Sequence, residues 1–362
     1  MKILYLLYSF TTGGTERLVC DICNQMDKRG HDVHLYIVND LYNQEMLNGL
    51  NSGISVFLQK RQTGGGEKLQ TLWKIAKYMH DHKIDVVHCN SLDAPELLLL
   101  KPFMASKTRV LYTVHGMGQM RTLGNLKIKL RNLLCHWIIA ISDCVRQDIL
   151  SAGIAPQKTV TVPNAIDLSK FPVPSEKIFD PAYPVIGNVA RIQPHVKGQD
   201  VLVRAIGILK KDYPNIRCLF AGAPAAGHPE DLDTLLELTQ QLGLTENITF
   251  LGSLQDIAGF LSKIDIFALP SRSEGFGISL VEAMSMEVPC IASRLEGPEE
   301  VLYGGKYGVL FQPEDPWDLA EQLRQMLEGY LGHKQNARMA GSYARTQYDI
   351  ETMCDRMEAL MK

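Results

Sequence analysis

The stretch Ser271-Arg272-Ser273-Glu274-Gly275-Phe276-Gly277-Ile278-Ser279-Leu280-Val281-Glu282-Ala283-Met284 decides how this chain is read. It follows Ile264-Asp265-Ile266-Phe267-Ala268-Leu269-Pro270, an apolar run that reads as a buried parallel strand. Gly275 and Gly277 stand where strand turns into helix and let the backbone approach a ligand closely. The helix start behind them offers unpaired N–H groups and the positive end of a dipole, which suits a phosphate. Glu274 precedes the turn and Glu282 lies eight positions on, inside the helix. Helix-start carboxylates are favoured by the dipole alone. As a pair around a glycine turn, however, they fit recognition of the paired hydroxyls of a ribose or hexose better.

Outward from this unit, both halves of the chain repeat one pattern of apolar run, turn, amphipathic helix and apolar run. In the first half Ile3 opens a strand to Tyr8, the Gly13-Gly14 turn follows, and a helix runs from Thr15 to Lys28. Later strands are predicted at 33–38, 56–58, 86–88, 110–114, 137–141 and 159–162, with a helix over 69–82. The second half starts afresh with a strand at 185–189 and a helix over 198–212. Strands at 216–221, 248–251, 264–269, 289–292 and 309–311 follow, with a helix over 231–242. Residues from about 318 to 362 read as helical with one break near Gly332. Strands alternating with helices of this length predict an α/β chain with parallel sheets covered on both faces. Residues 171–184 carry Pro172, Pro174, Pro181 and Pro184 without periodicity, so they read as a linker. The expected organisation is a first domain over 1–170, the linker, a second domain over 185–340 and a closing helix over 341–362. Gly64, Gly65 and Gly66 read as a mobile loop.

At 362 residues, 21% charged and 46% hydrophobic, the chain has the composition of a soluble α/β protein of two domains. Met1 to Leu7 is too short for a signal peptide and no window approaches a membrane span, so a cytoplasmic protein is expected. Eight scattered cysteines read as buried thiols; Cys20 and Cys23 form the single C-x-x-C, with no second pair to complete a metal site. The net charge of −3 hides an asymmetry. Residues 1–175 hold 20 basic against 14 acidic side chains, and the remainder hold 17 against 26. No acidic residue occurs between Leu97 and Ser142, a stretch that contains Lys101, Lys107, Arg109, Arg121, Lys127, Lys129 and Arg131. It reads either as a solvated basic face or as one that meets an anionic surface or substrate.

Further chemistry falls in loops after strands, where open α/β sheets bind ligands. Arg191 follows the strand at 185–189, and Lys197-Gly198 opens the next helix. Two cations placed so repel each other unless an anion such as a diphosphate lies between them. His115 ends the strand at 110–114, able to donate to a substrate oxygen or simply to cap a loop. Asn164-Ala165-Ile166-Asp167 reads as a side-chain-stabilised turn. Asp231-Leu232-Asp233 sits at a helix start and reads as a cap, and His31 and His34 read as solvent-facing.

Together Gly13-Gly14, His115, Val162-Pro163-Asn164-Ala165-Ile166-Asp167, Arg191, Lys197-Gly198, Gly222 and the E-x7-E spacing of Glu274 and Glu282 resemble a retaining glycosyltransferase of family 4. Gly297-Pro298-Glu299-Glu300-Val301 resembles the loop that follows in that family. The resemblance implies the GT-B fold: two Rossmann-like, doubly wound domains facing each other across a cleft, with the closing helix returning to the first. It implies transfer of a hexose-type sugar from a nucleoside diphosphate sugar to a hydroxyl of a glycan or lipid-linked acceptor, in bacterial cell-surface polysaccharide synthesis. UDP-sugar is the expected donor and GDP-sugar the alternative; no metal and no cofactor is expected, and no nucleic acid.

By the same resemblance Arg191 and Lys197 would hold the diphosphate, and the backbone of Phe276, Gly277 and Ile278, with Gly14, would face sugar and phosphate. Glu282 would take the ribose, Glu274 the donor sugar, and His115 its hydroxymethyl side. Gly252, Ser253 and Leu254 would border the base. The chain departs from the family's pattern in two places. One extra residue separates Arg191 from Lys197, and a frequent Gly-Gly pair is replaced by Glu296-Gly297. The tract from Arg121 through Lys127 and Lys129 to Arg131, interleaved with leucines, reads either as a cationic amphipathic helix that would hold the protein on anionic lipid at the inner face of the plasma membrane or, equally, as a core helix with solvated lysines. A sugar-nucleotide epimerase and a non-catalytic nucleotide-sugar binder are the competing readings.

Overall fold

A computed structural model describes residues 1–11, 13–62, 68–173, 177–225 and 227–362. The glycines at 64–66 and part of the 171–184 stretch lie outside them. The chain divides into two compact units, residues 1–166 with 350–362, and residues 167–349.

The first unit is built on a seven-stranded sheet: β1 Lys2–Leu7, β2 Asp32–Asn39, β3 Ser55–Arg61, β4 Val86–Cys89, β5 Arg109–Val114, β6 Trp137–Ala140 and β7 Thr159–Thr161. Its order is β3-β2-β1-β4-β5-β6-β7 and every pairing is parallel. The second unit carries β8 Val185–Val189, β9 Arg217–Ala221, β10 Ile248–Phe250, β11 Ile266–Leu269, β12 Cys290–Ser293 and β13 Val309–Phe311. These run β10-β9-β8-β11-β12-β13, again all parallel. Both orders step outward one way from the first strand and then the other. In each sheet the first strand and the one after the reversal are therefore neighbours, which puts their C-terminal loops side by side. β4, β11 and β12 are buried along their whole length, which is why they are apolar but for His88 and Ser293.

Helices cover the sheets through periodic apolar faces. Gly14–Lys28 buries Leu18, Val19, Ile22, Cys23 and Met26, and Gln199–Leu209 buries Val201, Leu202, Ala205, Ile206 and Leu209. The latter packs with the helix Pro316–Glu328 and strands β8 and β9 in one core cluster. Three readings of the sequence change. The helix expected over 198–212 is Gln199–Leu209, three residues shorter at its end, and an unexpected short turn, Pro194–Lys197, precedes it with Gly198 between them at φ +64°. The C-terminal break falls at Gly329, between Pro316–Glu328 and Tyr330–Gln347, and Gly332 lies inside the second of these helices. His34 is buried and its Nδ1 lies 2.9 Å from the Tyr78 hydroxyl, because β2 is an inner strand with both faces covered. The closing helix Ile350–Met361 packs on Gly14–Lys28 within the first unit.

Candidate active site

Strands β8 and β11 are neighbours, so the loops at their C-terminal ends meet. Lys197, at the end of the turn Pro194–Lys197, donates from Nζ to Glu274 Oε2 at 2.8 Å. Ser271, fully buried, offers its Oγ to the same oxygen at 3.4 Å. The side chains of Lys197 and Glu274 are 24% and 16% exposed, so the pair is sheltered yet reachable. Immediately beyond, Gly277 at φ +97° starts the helix Ile278–Ser285, and no side chain caps that terminus. Its first amides are therefore left to a ligand or to water. Phe276 turns its ring into the core, edge-on to Tyr348 at 5.4 Å, so it can meet a ligand only through its backbone. Glu282 lies on the second turn of the same helix, 9% exposed.

Two groups that sequence reasoning passed over hold this arrangement. Arg272 forks onto Asp200, Nη1 to Oδ1 at 2.6 Å and Nη2 to Oδ2 at 2.9 Å, and its Nη1 also reaches the Pro194 carbonyl at 2.6 Å. The Arg272 and Ser273 amides donate to the Val196 carbonyl at 2.8 and 3.2 Å. The loop bearing Glu274 and the turn bearing Lys197 are thus fastened to each other on both sides. Gln199, fully buried, donates to the Arg191 carbonyl at 2.8 Å and fixes the backbone behind that exposed guanidinium. Nothing in the sequence joins positions 200 and 272, which meet only after two strands have been paired.

Glycines make the close approaches possible. A Cβ on Gly198 would stand 1.9 Å from the Pro270 carbonyl oxygen, and one on Gly222 at 1.9 Å from that of Ala190. Gly222, at the end of β9, donates to the carbonyl of Gly252 beyond β10 at 2.8 Å, and Ser253 and Leu254 follow there. Gly297 is the position of the Glu296-Gly297 pair that needs glycine, since its Cβ would lie 2.6 Å from the Glu274 carbonyl oxygen. Glu296 is exposed and carries a side chain without cost. Asp231 and Asp233 lie in the first turn of the helix Glu230–Gln241, and among the described residues no group of three His, Cys, Asp or Glu is placed to hold a metal.

In the first unit, Gly14 begins the helix after β1, and His115 follows β5. Asn90 donates from Nδ2 to the His88 carbonyl at 3.2 Å, which aims its Oδ1 at His115 Nε2, 3.1 Å away. Nε2 therefore carries the proton, and Nδ1 is a buried lone pair with no partner among the described residues. With Nε2 engaged by Asn90, the neutral ring has no second proton to donate. Burial pushes its pKa down to about 4 and that of His88 to about 3, so both rings are neutral near pH 7.

The basic tract is corrected in part. Arg131 is fully buried, forked onto Glu96 at 2.7 and 3.3 Å, bonded to the Leu92 carbonyl and set over the Tyr112 ring. Lys127 pairs with Asp93 at 2.6 Å, and Arg121 with the buried Asp148. Of the four cations only Lys129 stands outward without an acidic partner among the described residues. The helix Asn125–Leu134 spends its other charges on acidic partners, because the segment before it supplies the carboxylates.

Comparison with known proteins identifies the family. A family model described as Glycosyltransferase Family 4 matches residues 12–170, and one described as Glycosyl transferases group 1 matches residues 174–347. The capsular polysaccharide biosynthesis glycosyltransferase CapM of Staphylococcus aureus is 24% identical over 340 residues, 88% of this chain and 87% of its own. A D-inositol 3-phosphate glycosyltransferase of Corynebacterium urealyticum is 34% identical over 147 residues, 40% of this chain and 34% of its own. Among solved structures, Anabaena Alr3699/HepE in complex with UDP and glucose superposes with a TM-score of 0.84 at 22% identity, covering 99% of this chain and 98% of that one. The two matched models follow one another along nearly the whole chain, the first over all but β1 of one parallel sheet and the second over the other sheet, and the chain belongs to the group 1 glycosyltransferases of the GT-B fold, family 4 type.

Proposed function

We propose that the protein is a retaining hexosyltransferase that moves a sugar from a nucleoside diphosphate sugar to a hydroxyl of a glycan or lipid-linked acceptor in cell-surface polysaccharide synthesis. The observation that carries this reading is the Lys197–Glu274 pair set beside the uncapped helix start at Gly277. A cation and free amides suit a diphosphate, and a carboxylate next to them suits a sugar hydroxyl. Arg191 and Lys197 would take the growing charge of the leaving diphosphate, with the amides of Phe276, Gly277 and Ile278. Glu282 would receive the ribose hydroxyls, and the turn at Gly252, Ser253 and Leu254 would border the base. His115 would stand at the hydroxymethyl side of the transferred sugar.

Retention follows most simply from attack on the face that the diphosphate leaves, a departing phosphate oxygen taking the acceptor's proton. Lys197 supports that path. While its ammonium holds Glu274 Oε2 at 2.8 Å, the carboxylate is a weak nucleophile. A UDP-sugar is the donor we favour, with a GDP-sugar next; Anabaena Alr3699/HepE is solved with UDP. The reading needs no metal, because Arg191 and Lys197 supply the positive charge.

Thermal shift with UDP, GDP, ADP and CMP and their sugars names the donor, since a bound nucleotide stabilises the native state by linkage. Lys197→Ala and Glu274→Ala are each expected to lose turnover by about 10²- to 10³-fold while keeping the wild-type fold. Near-wild-type transfer by either variant sinks the assignment. Epimerisation of the donor without acceptor would replace it with the epimerase reading.

A further inference from the structure

We infer that the C-terminal edge of the first unit's sheet holds a subsite for a negatively charged sugar unit of the acceptor, with Arg61 as the residue that selects the charge. The backbone is bent to place that side chain. Ile37 of β2 pairs with Leu58 of β3, but the next pairing joins Asn39 to Arg61, so β3 carries one residue more than its neighbour. Lys60, inside this bulge, sits at φ +56°, a region that side chains rarely enter. Plain alternation would send Arg61 to the side of Gln59, which is bonded to the Tyr36 hydroxyl and to Thr71. The bulge sends it instead to the side of Asn39, and its guanidinium lies 5.7 Å from the centre of the Tyr8 ring.

The groups gathered there suit a ligand that carries both a negative charge and hydroxyls. Arg61 has no acidic partner among the described residues, and its Nε is buried without an acceptor. Asn39, its partner across the strands and 7% exposed, has a buried Oδ1 without a donor among the described residues. The Asn39 amide donates to the Tyr8 carbonyl at 2.7 Å and the Tyr8 amide to Ser91 Oγ at 3.1 Å, so the chain ends of β1, β2 and β4 are joined here. Burial pushes the Tyr8 phenol up to about 12, and its hydroxyl keeps a proton to donate. Asp93 and Glu96 also act on Tyr8, but Lys127 meets Asp93 at 2.6 Å and Arg131 meets Glu96 at 2.7 Å. Asp40 and Lys60 stand exposed on either side and offset each other, so the charge left over is that of Arg61. A guanidinium set over a phenol ring presents a planar fork of N–H groups that matches a carboxylate or a phosphate. Asn39 Oδ1 can take a ring hydroxyl of the same unit. His115 follows β5, two strand positions beyond β1, or about 10 Å at the usual spacing. That is wider than one sugar ring, so the charged unit is one other than the sugar beside His115. The inference rests on the transferase reading for what an acceptor is, and its test needs no transfer.

Three sugars that differ only at C6 serve as probes: methyl glucoside, methyl glucuronide and methyl glucoside 6-phosphate. Each is titrated without donor into the full chain and into its Lys197→Ala variant, which takes the second unit's phosphate-binding cation out of the comparison. Affinity is read from ligand-side NMR. Both charged sugars are expected to bind about tenfold or more tighter than the neutral one in either chain, and the margin should shrink with salt. Whichever of the two binds tighter tells a carboxylate-bearing acceptor from a phosphate-bearing one. In the Lys197→Ala background Arg61→Gln should abolish the preference, and Arg61→Lys, which keeps the charge but not the fork, should retain only part of it. The isosteric Asn39→Asp puts a like charge beside the ligand and should also remove it. Melting of the Arg61 variants should stay near wild type; where Arg61→Gln melts early, Arg61→Lys and Asn39→Asp decide. Three results overturn the inference: charged sugars that bind no tighter than the neutral one, a preference that survives these substitutions, or a preference lost with Lys197→Ala alone. No donor is present, so loss of the transferase reading would leave these affinities where they are.

Discussion

Gly198 adopts φ +64° with the Pro270 carbonyl where a methyl group would go, and its neighbour Lys197 reaches Glu274 from that bend. Gly198→Ala must move backbone or strain it, so a loss of several kcal/mol, on the order of 2–4, is expected, and transfer should fall with it. Chemical unfolding and initial rates on the same preparation check both. A second expectation concerns protons. His88 and His115 have native pKa values near 3 and 4, below the ordinary 6.5 of the unfolded chain. Between pH 6.5 and about 4 unfolding takes up protons that the native rings refuse, so stability rises with pH there and is lost as acid is added. His115→Gln should flatten that slope by about one proton, measured as unfolding free energy against pH; an unchanged slope would exclude a buried neutral ring. At this scale Lys197, Glu274 and His115 were legible because their residue types follow strands and glycine turns. The burial of Arg131 was not, because its partner Glu96 lies thirty-five residues away on another element.

Among elements, the clamp between the β11 loop and the Pro194–Lys197 turn is the part with most consequence. Arg272 makes three side-chain bonds to Asp200 and Pro194 and touches neither Lys197 nor Glu274, so it is a positioning residue. Arg272→Lys keeps the charge but loses the fork, and Asp200→Asn keeps the shape but loses the charge. Each is expected to lower kcat about tenfold to a hundredfold with a small change in KM and little change in melting. An effect confined to melting temperature would make the clamp structural only. The strands were legible from apolar runs, and the helix 14–28 from its periodic face. The short turn before Gly198 was not, because the Pro270 carbonyl against which Gly198 bends follows a strand some seventy residues downstream. The C-terminal break was read three residues late, since Gly332 is a helix-interior glycine with open space beside it.

At the scale of the whole molecule, Ile350–Met361 completes the first unit although it ends the chain. It buries Met353, Cys354, Met357 and Met361, and Arg29 and His31 meet its Asp355 and Glu358. Burial of those side chains stabilises the unit by roughly 1.5–3 kcal/mol each. A chain ending at Asp349 should therefore lose the cooperative unfolding of the first unit while the second still melts, which calorimetry would show as one transition surviving. Full retention of both transitions would refute that role. By itself the sequence determined that this is a two-unit α/β protein with charged residues beside glycine turns in the loops after its strands, because strand burial, helical periodicity and glycine turns are local signals. Only the tertiary structure decided which charges stay exposed and which are consumed inside. Pairing β8 with β11 brings Asp200 to Arg272 and Lys197 to Glu274, and packing the helix Asn125–Leu134 on Ala94–Leu98 takes Arg131 out of solvent. Whether a cation is free or spent depends on partners remote in sequence, and that proximity is created by folding.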